Sequence, residues 1–185
     1  MTIRPWRRTG SRTVHQDRWV HLRAEAWVTG EGKVLDPWYM LDWPDLVHVV
    51  ALKPDDRMVL VRQFRPGAGT AVLELPGGMV EADEADPVAA GRREFTEETG
   101  HAAASFQLVS TLQHNPAHAG NRLHVVLAQG AVPAGPQQLD LGEEIAVESL
   151  PIDEVLAGLG AGLIGNAGHV GSILLALRVA GRIVF

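Results

Sequence analysis

The feature that most constrains this sequence is a helix with both of its ends marked, which follows a short strand. Asp86 is a favourable N-cap residue and Pro87 suits the first helical position. Gly100 predicts the helix end, because glycine readily adopts the left-handed conformation. Upstream, Val72–Leu75 predicts a short strand that ends in Pro-Gly-Gly. With further strands and helices on both sides, the pattern favours a mixed α/β sandwich.

The second half of that helix carries three glutamates on one face. Glu94 and Glu98 are four residues apart, and Glu97 is three residues from Glu94. Their mutual repulsion is explained if a divalent cation binds over the face, and hard oxygen ligands suit Mg²⁺ or Mn²⁺. Gly77 allows the preceding backbone to come close and to offer a carbonyl oxygen. The alternative is a solvated, salt-bridged helix surface, which is the commoner reading of an isolated Glu-x-x-Glu-Glu.

Apolar periodicity predicts a small β unit before the main domain. The five tryptophans lie in the first 45 residues, which we expect to form an antiparallel unit, and residues 46–185 are expected to form the principal domain. Pro37 indicates that one strand of the unit lies at a sheet edge. The predicted strands are Val20–Val28, Val34–Leu41, Val47–Leu52, Met58–Phe64 and Leu123–Ala128, and the further helices are Ile152–Leu159 and Gly168–Ala180.

Composition excludes several classes of function. The 22 acidic and 16 basic residues give a net charge of −6, which argues against a nucleic-acid partner held by phosphate attraction. The absence of cysteine excludes disulfides and thiolate zinc sites. Polar residues interrupt the most apolar window, Leu163–Phe185, which argues against a membrane span. The first 20 residues lack the apolar run of a signal peptide, so we expect a cytoplasmic protein.

The segments Leu73–Glu81 and Arg93–Gly100, taken together, closely resemble the Nudix box, written G-x5-E-x7-R-E-U-x-E-E-x-G-U with U apolar. The resemblance implies a Nudix-type α/β/α sandwich with a mixed sheet. Two departures exist. Counted from Gly78, Glu84 occupies the slot of the first glutamate but Arg93 comes one residue late, and His101 replaces the final apolar residue.

The extra residue is expected to lie before the helix. The interval from Pro87 to Arg93 is the one that the family shows, so the helix register is intact. A loop accommodates one residue at small cost, whereas an insertion within the helix would rotate the carboxylates away. We therefore predict a bulge at Ala85 or Asp86, with Glu84 still paired to Arg93.

The resemblance also assigns roles to individual residues. Val61–Arg65, Pro116 and Gly142–Ile145 are similar to segments of the ADP-ribose pyrophosphatase branch. Arg62 and Arg65 are expected on one strand face, where they would clamp a diphosphate; the alternative is that they are ordinary surface arginines. The implied metal ligands are Gly77, Glu94, Glu97, Glu98 and Glu143; the catalytic candidates are Glu97, Glu98, Glu143 and Glu144; the substrate-binding candidates are Arg62, Arg65 and Glu74; and Gly78, Glu84, Arg93 and Gly100 are structural.

The function implied is Mg²⁺- or Mn²⁺-dependent hydrolysis of a nucleoside diphosphate derivative, ADP-ribose or a nucleotide sugar, to a nucleoside monophosphate and a phosphorylated moiety. The resemblance also implies a homodimer formed through the N-terminal strands. Two alternatives stay open. One is a pyrophosphatase that sanitises nucleoside triphosphates, although such proteins are often shorter. The other is a non-catalytic nucleotide sensor, although sensors generally lose the box glutamates.

Overall fold

The computed structural model describes residues 2–184 and divides them into two compact units. One unit contains the chain up to Pro44 together with Gln113–Arg122, and the other contains Asp45–Leu112 and the chain from Leu123 onward. Within residues 2–184, none of the three helices combines the length and the hydrophobicity needed to cross a bilayer.

Strands account for more of the chain than helices do. In chain order, the strands are β1 (Arg7–Gln16), β2 (His21–Val28), β3 (Val34–Asp42), β4 (Leu46–Leu52), β5 (Arg57–Arg65), β6 (Thr70–Glu74), β7 (Gly77–Met79), β8 (His101–Ala102), β9 (Ser105–Gln113), β10 (Arg122–Gln129), β11 (Val132–Pro133) and β12 (Ile145–Pro151). The helices are α1 (Pro87–Thr99), α2 (Ile152–Leu159) and α3 (Ala167–Val179).

The first unit is an antiparallel sheet with the strand order β1-β2-β3. The segment Gln113–Arg122 belongs to it because the Leu41 N–H donates to the His118 carbonyl over 2.7 Å and Trp38 donates to the Ala117 carbonyl over 2.9 Å. Pro37 lies on β3, at the edge of the sheet, as the sequence predicts.

The second unit contains a mixed sheet with the order β12-β5-β4-β10-β9, in which β10 runs parallel to β4 and β5 runs antiparallel to it. Alternate residues of β4 serve opposite faces. Val47 and Val49 pack with residues of α1, whereas Val50 and Leu52 pack with residues of α2 and α3. One helix therefore covers one face and two helices cover the other, and the predicted α/β/α sandwich is confirmed.

A gap between β4 and β5 positions the candidate site. The two strands pair at Ala51–Val59 and Leu52–Met58, and farther along each strand takes a different partner. β6 pairs with β5 and β7 pairs with β4. The chain therefore changes its pairing partner at Leu75 and Pro76, between β6 and β7, and this crossing lies directly before Gly77.

Candidate active site

Helix α1 begins and ends where its residues predict. Asp86 caps the start, with a carboxylate oxygen that accepts the Val88 N–H over 2.9 Å, and Pro87 is the first helical residue. Gly100 ends the helix in the left-handed conformation, with φ of 64°. A Cβ at Gly100 would lie 2.3 Å from the Gly135 carbonyl oxygen, so close packing also requires glycine there.

Glu98 is the most deeply buried carboxylate of the α1 face, with 5% of its surface exposed. Its Oε2 accepts the Gly77 N–H over 2.8 Å, which joins the helix to the start of β7. Gly77 has a φ of 150°, and a Cβ there would lie 2.0 Å from the Val47 carbonyl oxygen. Only glycine fits this position without displacing β4.

Glu94 lies one turn before Glu98 and faces Gly78. A Cβ at Gly78 would lie 2.6 Å from the Glu94 carboxyl carbon, so the absent side chain leaves open space beside that carboxylate. The two consecutive glycines therefore have different roles at this edge of β7. Gly77 lets the backbone reach Glu98, and Gly78 leaves room at Glu94.

The carboxylates of this face are held at an electrostatic cost. Burial raises the pKa of Glu98 to about 8; the Gly77 N–H opposes the rise, and the negative charges of Glu94 and Glu143 add to it. Burial also raises the pKa of Glu94. The positive charge of Arg93 opposes this rise, and the negative charges of Glu97 and Glu143 add to it. Buried like charges of this kind are stabilised by a counter-charge.

Arg93 supplies a positive charge at the edge of the cluster. It donates to both carboxylate oxygens of Glu84, over 3.0 and 2.9 Å, and it also donates to Glu94 over 2.9 Å and to Glu97 over 3.0 Å. The bidentate bond with Arg93 lowers the pKa of Glu84. The predicted pair of Glu84 and Arg93 is present, and the bulge at Ala85 or Asp86 stays a prediction.

The acidic loop that precedes β12 contributes Glu143 and Glu144. Glu143 closes a turn, because its carboxylate accepts the Asp140 N–H over 2.9 Å and its own N–H donates to the Asp140 carbonyl over 3.0 Å. The Glu143 charge acts on Glu94 and Glu98, whereas Glu144 is exposed. Gln137 donates to the carbonyls of Glu98 and Ile145 over 2.6 and 3.1 Å, which ties this loop to the end of α1.

The expectation that Arg62 and Arg65 share one strand face is wrong. Successive residues of a strand point to opposite faces, so residues three apart lie on different ones. Arg62 forms a bidentate pair with Glu148 on β12, and this pair lowers the pKa of Glu148. Arg65 instead donates to the buried carboxylate of Glu74 over 2.7 Å, and its charge acts on Glu98. Arg65 therefore lies on the side of the sheet that faces α1.

The donor chemistry of the cluster fits a hard divalent cation. Glu94 and Glu98 supply carboxylate oxygens whose pKa values are raised by burial and by neighbouring negative charge, and Gly78 leaves space beside Glu94. Oxygen-rich sites with excess negative charge are those that Mg²⁺ and Mn²⁺ occupy. Within residues 2–184, no three His, Cys, Asp or Glu side chains are gathered tightly enough to enclose a metal ion by themselves.

A buried cluster of His48, His169 and Ser172 behind the site was not predicted from the sequence. His48 and His169 stack with ring centroids 3.9 Å apart, and Ser172 lies 3.0 Å from the His48 Nδ1 atom. His169 Nε2 lies 3.7 Å from Glu74. The one signal in the sequence was a histidine inside a mostly apolar helix, which indicates a buried polar contact but not its partner.

Comparison with known proteins identifies the family. The model of the NUDIX domain matches residues 42–165. An ADP-ribose pyrophosphatase of Bacillus subtilis is 29% identical over 114 residues, which cover 61% of this chain and 61% of that protein. An ADP-sugar pyrophosphatase of Mus musculus is 36% identical over 110 residues, covering 56% and 50%. This chain thus spans less than two thirds of either relative.

Two further matches extend over more of the chain. An uncharacterised Nudix hydrolase of Schizosaccharomyces pombe is 30% identical over 150 residues, covering 73% of this chain and 71% of that protein. The crystal structure of an ADP compounds hydrolase superposes with a TM-score of 0.85 at 20% identity, covering 99% of this chain and all of that one, which shows a shared fold. The α1 glutamates, the paired glycines and the matched domain lead to one assignment: the chain belongs to the Nudix family.

Proposed function

We propose that this protein hydrolyses the diphosphate linkage of a nucleoside diphosphate derivative, ADP-ribose or a nucleotide sugar, with Mg²⁺ or Mn²⁺ as cofactor. The observation that carries the proposal is the placement of Glu94 and Glu98 on one face of α1, against the consecutive glycines Gly77 and Gly78. Relatives described as ADP-ribose and ADP-sugar pyrophosphatases support the choice of substrate class. The products would be a nucleoside monophosphate and a phosphorylated moiety.

The metal would be held by Glu94, Glu98 and Glu143, together with Glu97 and the Gly77 carbonyl. When bound, it would neutralise charge on the diphosphate and lower the pKa of a water molecule. Burial of Glu94 and Glu98 keeps competing water away from their oxygens. The bonds of Arg93 to Glu94 and Glu97 orient both carboxylates toward the same side of α1.

The remaining side chains suit proton transfer and substrate binding. Glu143 and Glu144 lie on a loop, and either is a candidate for the base that takes the proton of the attacking water, as are Glu97 and Glu98. Arg65, fixed by Glu74, presents a positive charge on the α1 side, where it would bind a substrate phosphate. Arg62 is a weaker candidate, because it lies on the opposite face of β5 from Arg65.

A panel of nucleotide derivatives tests the proposal. Purified protein is incubated with Mg²⁺ and either ADP-ribose, nucleotide sugars or nucleoside triphosphates, and both products are identified. We expect a monophosphate and a sugar phosphate from the diphosphate compounds. Release of pyrophosphate from the triphosphates alone would favour a sanitising enzyme, and binding without turnover would favour a sensor. Either result would overturn the proposal.

Substitution of the metal-binding carboxylates provides the matched test. Glu98→Gln or Glu94→Gln is expected to lower kcat by at least ~10³-fold, because each change removes a charged ligand from a poorly hydrated site. Glu154→Gln, at an exposed position of α2, is the control and should retain activity. Full activity in Glu98→Gln or Glu94→Gln would exclude the mechanism.

The proposal includes a homodimer that forms through the N-terminal unit, in the cytoplasm. An isolated three-stranded sheet gains stability by covering an apolar face, and cyclic dimers are the commonest solution. Deletion of residues 1–40 should yield a monomer or an insoluble chain. Light scattering that shows the full-length protein to be monomeric would contradict the dimer. Large apolar side chains are exposed on this unit at Ile3, Trp6, Val14, Trp19, Val34, Tyr39 and Trp43.

A further inference from the structure

The crossing between β6 and β7 leaves a buried backbone donor without a strand partner. β6 ends at Glu74 and β7 begins at Gly77, so Leu75 and Pro76 lie between the two ladders. Pro76 has no N–H, but Leu75 has one, and only 2% of Leu75 is exposed. A buried N–H requires an acceptor. The Leu75 N–H donates to Nδ1 of His169 over 3.0 Å.

His169 reaches this donor from the opposite side of the sheet to α1. It lies on α3, whose apolar residues pack on the face that α1 does not cover. Because Nδ1 accepts a hydrogen bond, the proton of the neutral ring lies on Nε2, which is 3.7 Å from the Glu74 carboxylate.

Neighbouring side chains fix the His169 ring. Its centroid is 3.9 Å from that of His48, and the His48 Nδ1 atom is 3.0 Å from the Ser172 hydroxyl, which itself donates to the Gly168 carbonyl over 2.9 Å. His169 is 5% exposed, so these packed neighbours leave its ring little room to move. It is therefore a rigid acceptor.

The crossing is held from both faces of the sheet. Two residues after Leu75, the Gly77 N–H donates to Glu98 on the α1 side. Between them, the Pro76 carbonyl accepts the Val49 N–H over 2.9 Å. The orientation of the Gly77 peptide thus depends on the fixed position of Leu75, and the position of the Glu98 carboxylate depends on the Gly77 N–H.

We propose that His169 is a positioning residue for the hydrolytic site, acting through Leu75 and Gly77 on Glu98. This inference rests on the proposed function for its kinetic consequence. The backbone anchoring itself is independent of any activity. His169 contacts the Leu75 backbone and the His48 ring and lies 3.7 Å from Glu74, and its contribution is to the geometry of the backbone that binds Glu98.

Two substitutions separate the two ring nitrogens. In His169→Asn, the side-chain oxygen occupies a place equivalent to Nδ1 and can still accept the Leu75 N–H. In His169→Gln, the polar end is displaced to the level of Nε2, and the acceptor for Leu75 is lost. His124→Gln is the matched control, because His124 is also buried in this unit but contacts Thr111 and Asp45.

The first measurement is amide hydrogen exchange by NMR in the metal-free protein. In His169→Gln, the amides of Leu75 and Gly77 are expected to exchange at least ~10-fold faster than in the wild type, because the local anchor is lost. In His169→Asn and His124→Gln they should keep the wild-type rate. Unchanged exchange in His169→Gln, or equal acceleration in His169→Asn, would overturn the proposal.

The second measurement is steady-state kinetics on the substrate found in the nucleotide panel. In His169→Gln, kcat should fall about 10-fold with KM changed less than about 2-fold, whereas His169→Asn should recover most of kcat. A wild-type kcat in His169→Gln would refute the positioning role. If the wild type hydrolyses nothing in the panel, the proposed function fails, and the exchange rates still decide whether His169 anchors the crossing.

Discussion

The buried charge of Glu98 predicts how the stability of the metal-free protein depends on pH. Its pKa is about 8 in the folded protein, compared with an ordinary value of 4.5. The folded state therefore binds this proton more tightly than the unfolded chain does. The stabilising contribution of this bound proton to the folded state is complete below about pH 4.5 and is lost as the pH rises through about 8. At about 1.4 kcal/mol for each tenfold change in acid dissociation, the loss has an upper limit of about 5 kcal/mol.

Glu98→Gln removes the titrating charge and keeps an oxygen that accepts the Gly77 N–H. In the presence of EDTA, we expect the variant to exceed the wild type in free energy of unfolding by about 2–5 kcal/mol near pH 8. The difference should vanish near pH 4.5. Urea denaturation followed by tryptophan fluorescence across this range measures it, with Glu154→Gln as the exposed control. Parallel curves for Glu98→Gln and the wild type would refute the reasoning.

Added Mg²⁺ should reduce this difference. If the cation binds the wild-type carboxylates as proposed, it would stabilise the folded state by about 2.7 kcal/mol at 100 times its Kd. Glu98→Gln lacks a charged ligand, so its midpoint of unfolding should respond much less to added Mg²⁺. An equal response in both proteins would show that the ion binds elsewhere.

Three further substitutions test the supporting geometry. Asp86→Ala should lower the free energy of unfolding by ~1 kcal/mol in urea titrations, because the cap of α1 is lost. Gly77→Ala should cost at least ~1–3 kcal/mol in the same assay, since its Cβ would collide with the Val47 carbonyl. Arg93→Lys should lower kcat/KM at least ~10-fold, because an ammonium group cannot replace the bidentate bond to Glu84; unchanged kinetics would contradict this role.

Helix α1 and its charged face were predictable because their signals are local. The Asp86 cap, the Pro87 start and the Gly100 end all act within one turn of the residues that carry them. The pairing of Glu84 with Arg93 was also predictable, because a fixed helix register leaves the loop as the place for an extra residue. The catalytic assignments remain proposals, since they depend on a metal and a substrate.

Two of the strands that were not predicted, β1 and β9, lack a local signal. β1 is exposed at all ten positions, so it has no apolar alternation, and its structure comes from pairing with β2. β9 shows no regular alternation of buried and exposed residues either. The incorrect prediction that Arg62 and Arg65 share one strand face had a different cause. Successive strand residues alternate between faces, and this rule alone places residues three apart on opposite faces.

The role proposed for His169 lies between these cases. Its partner, Leu75, is 94 residues away, so no local pattern connects them. Pro76 nevertheless indicates where the pairing changes. A proline has no N–H to donate to a strand ladder, and here the chain takes a different partner strand after it. An adjacent buried residue at such a change retains an N–H that needs an acceptor. A buried polar side chain on a mostly apolar helix that packs on the same sheet is then a candidate acceptor, and His169 is such a side chain on α3.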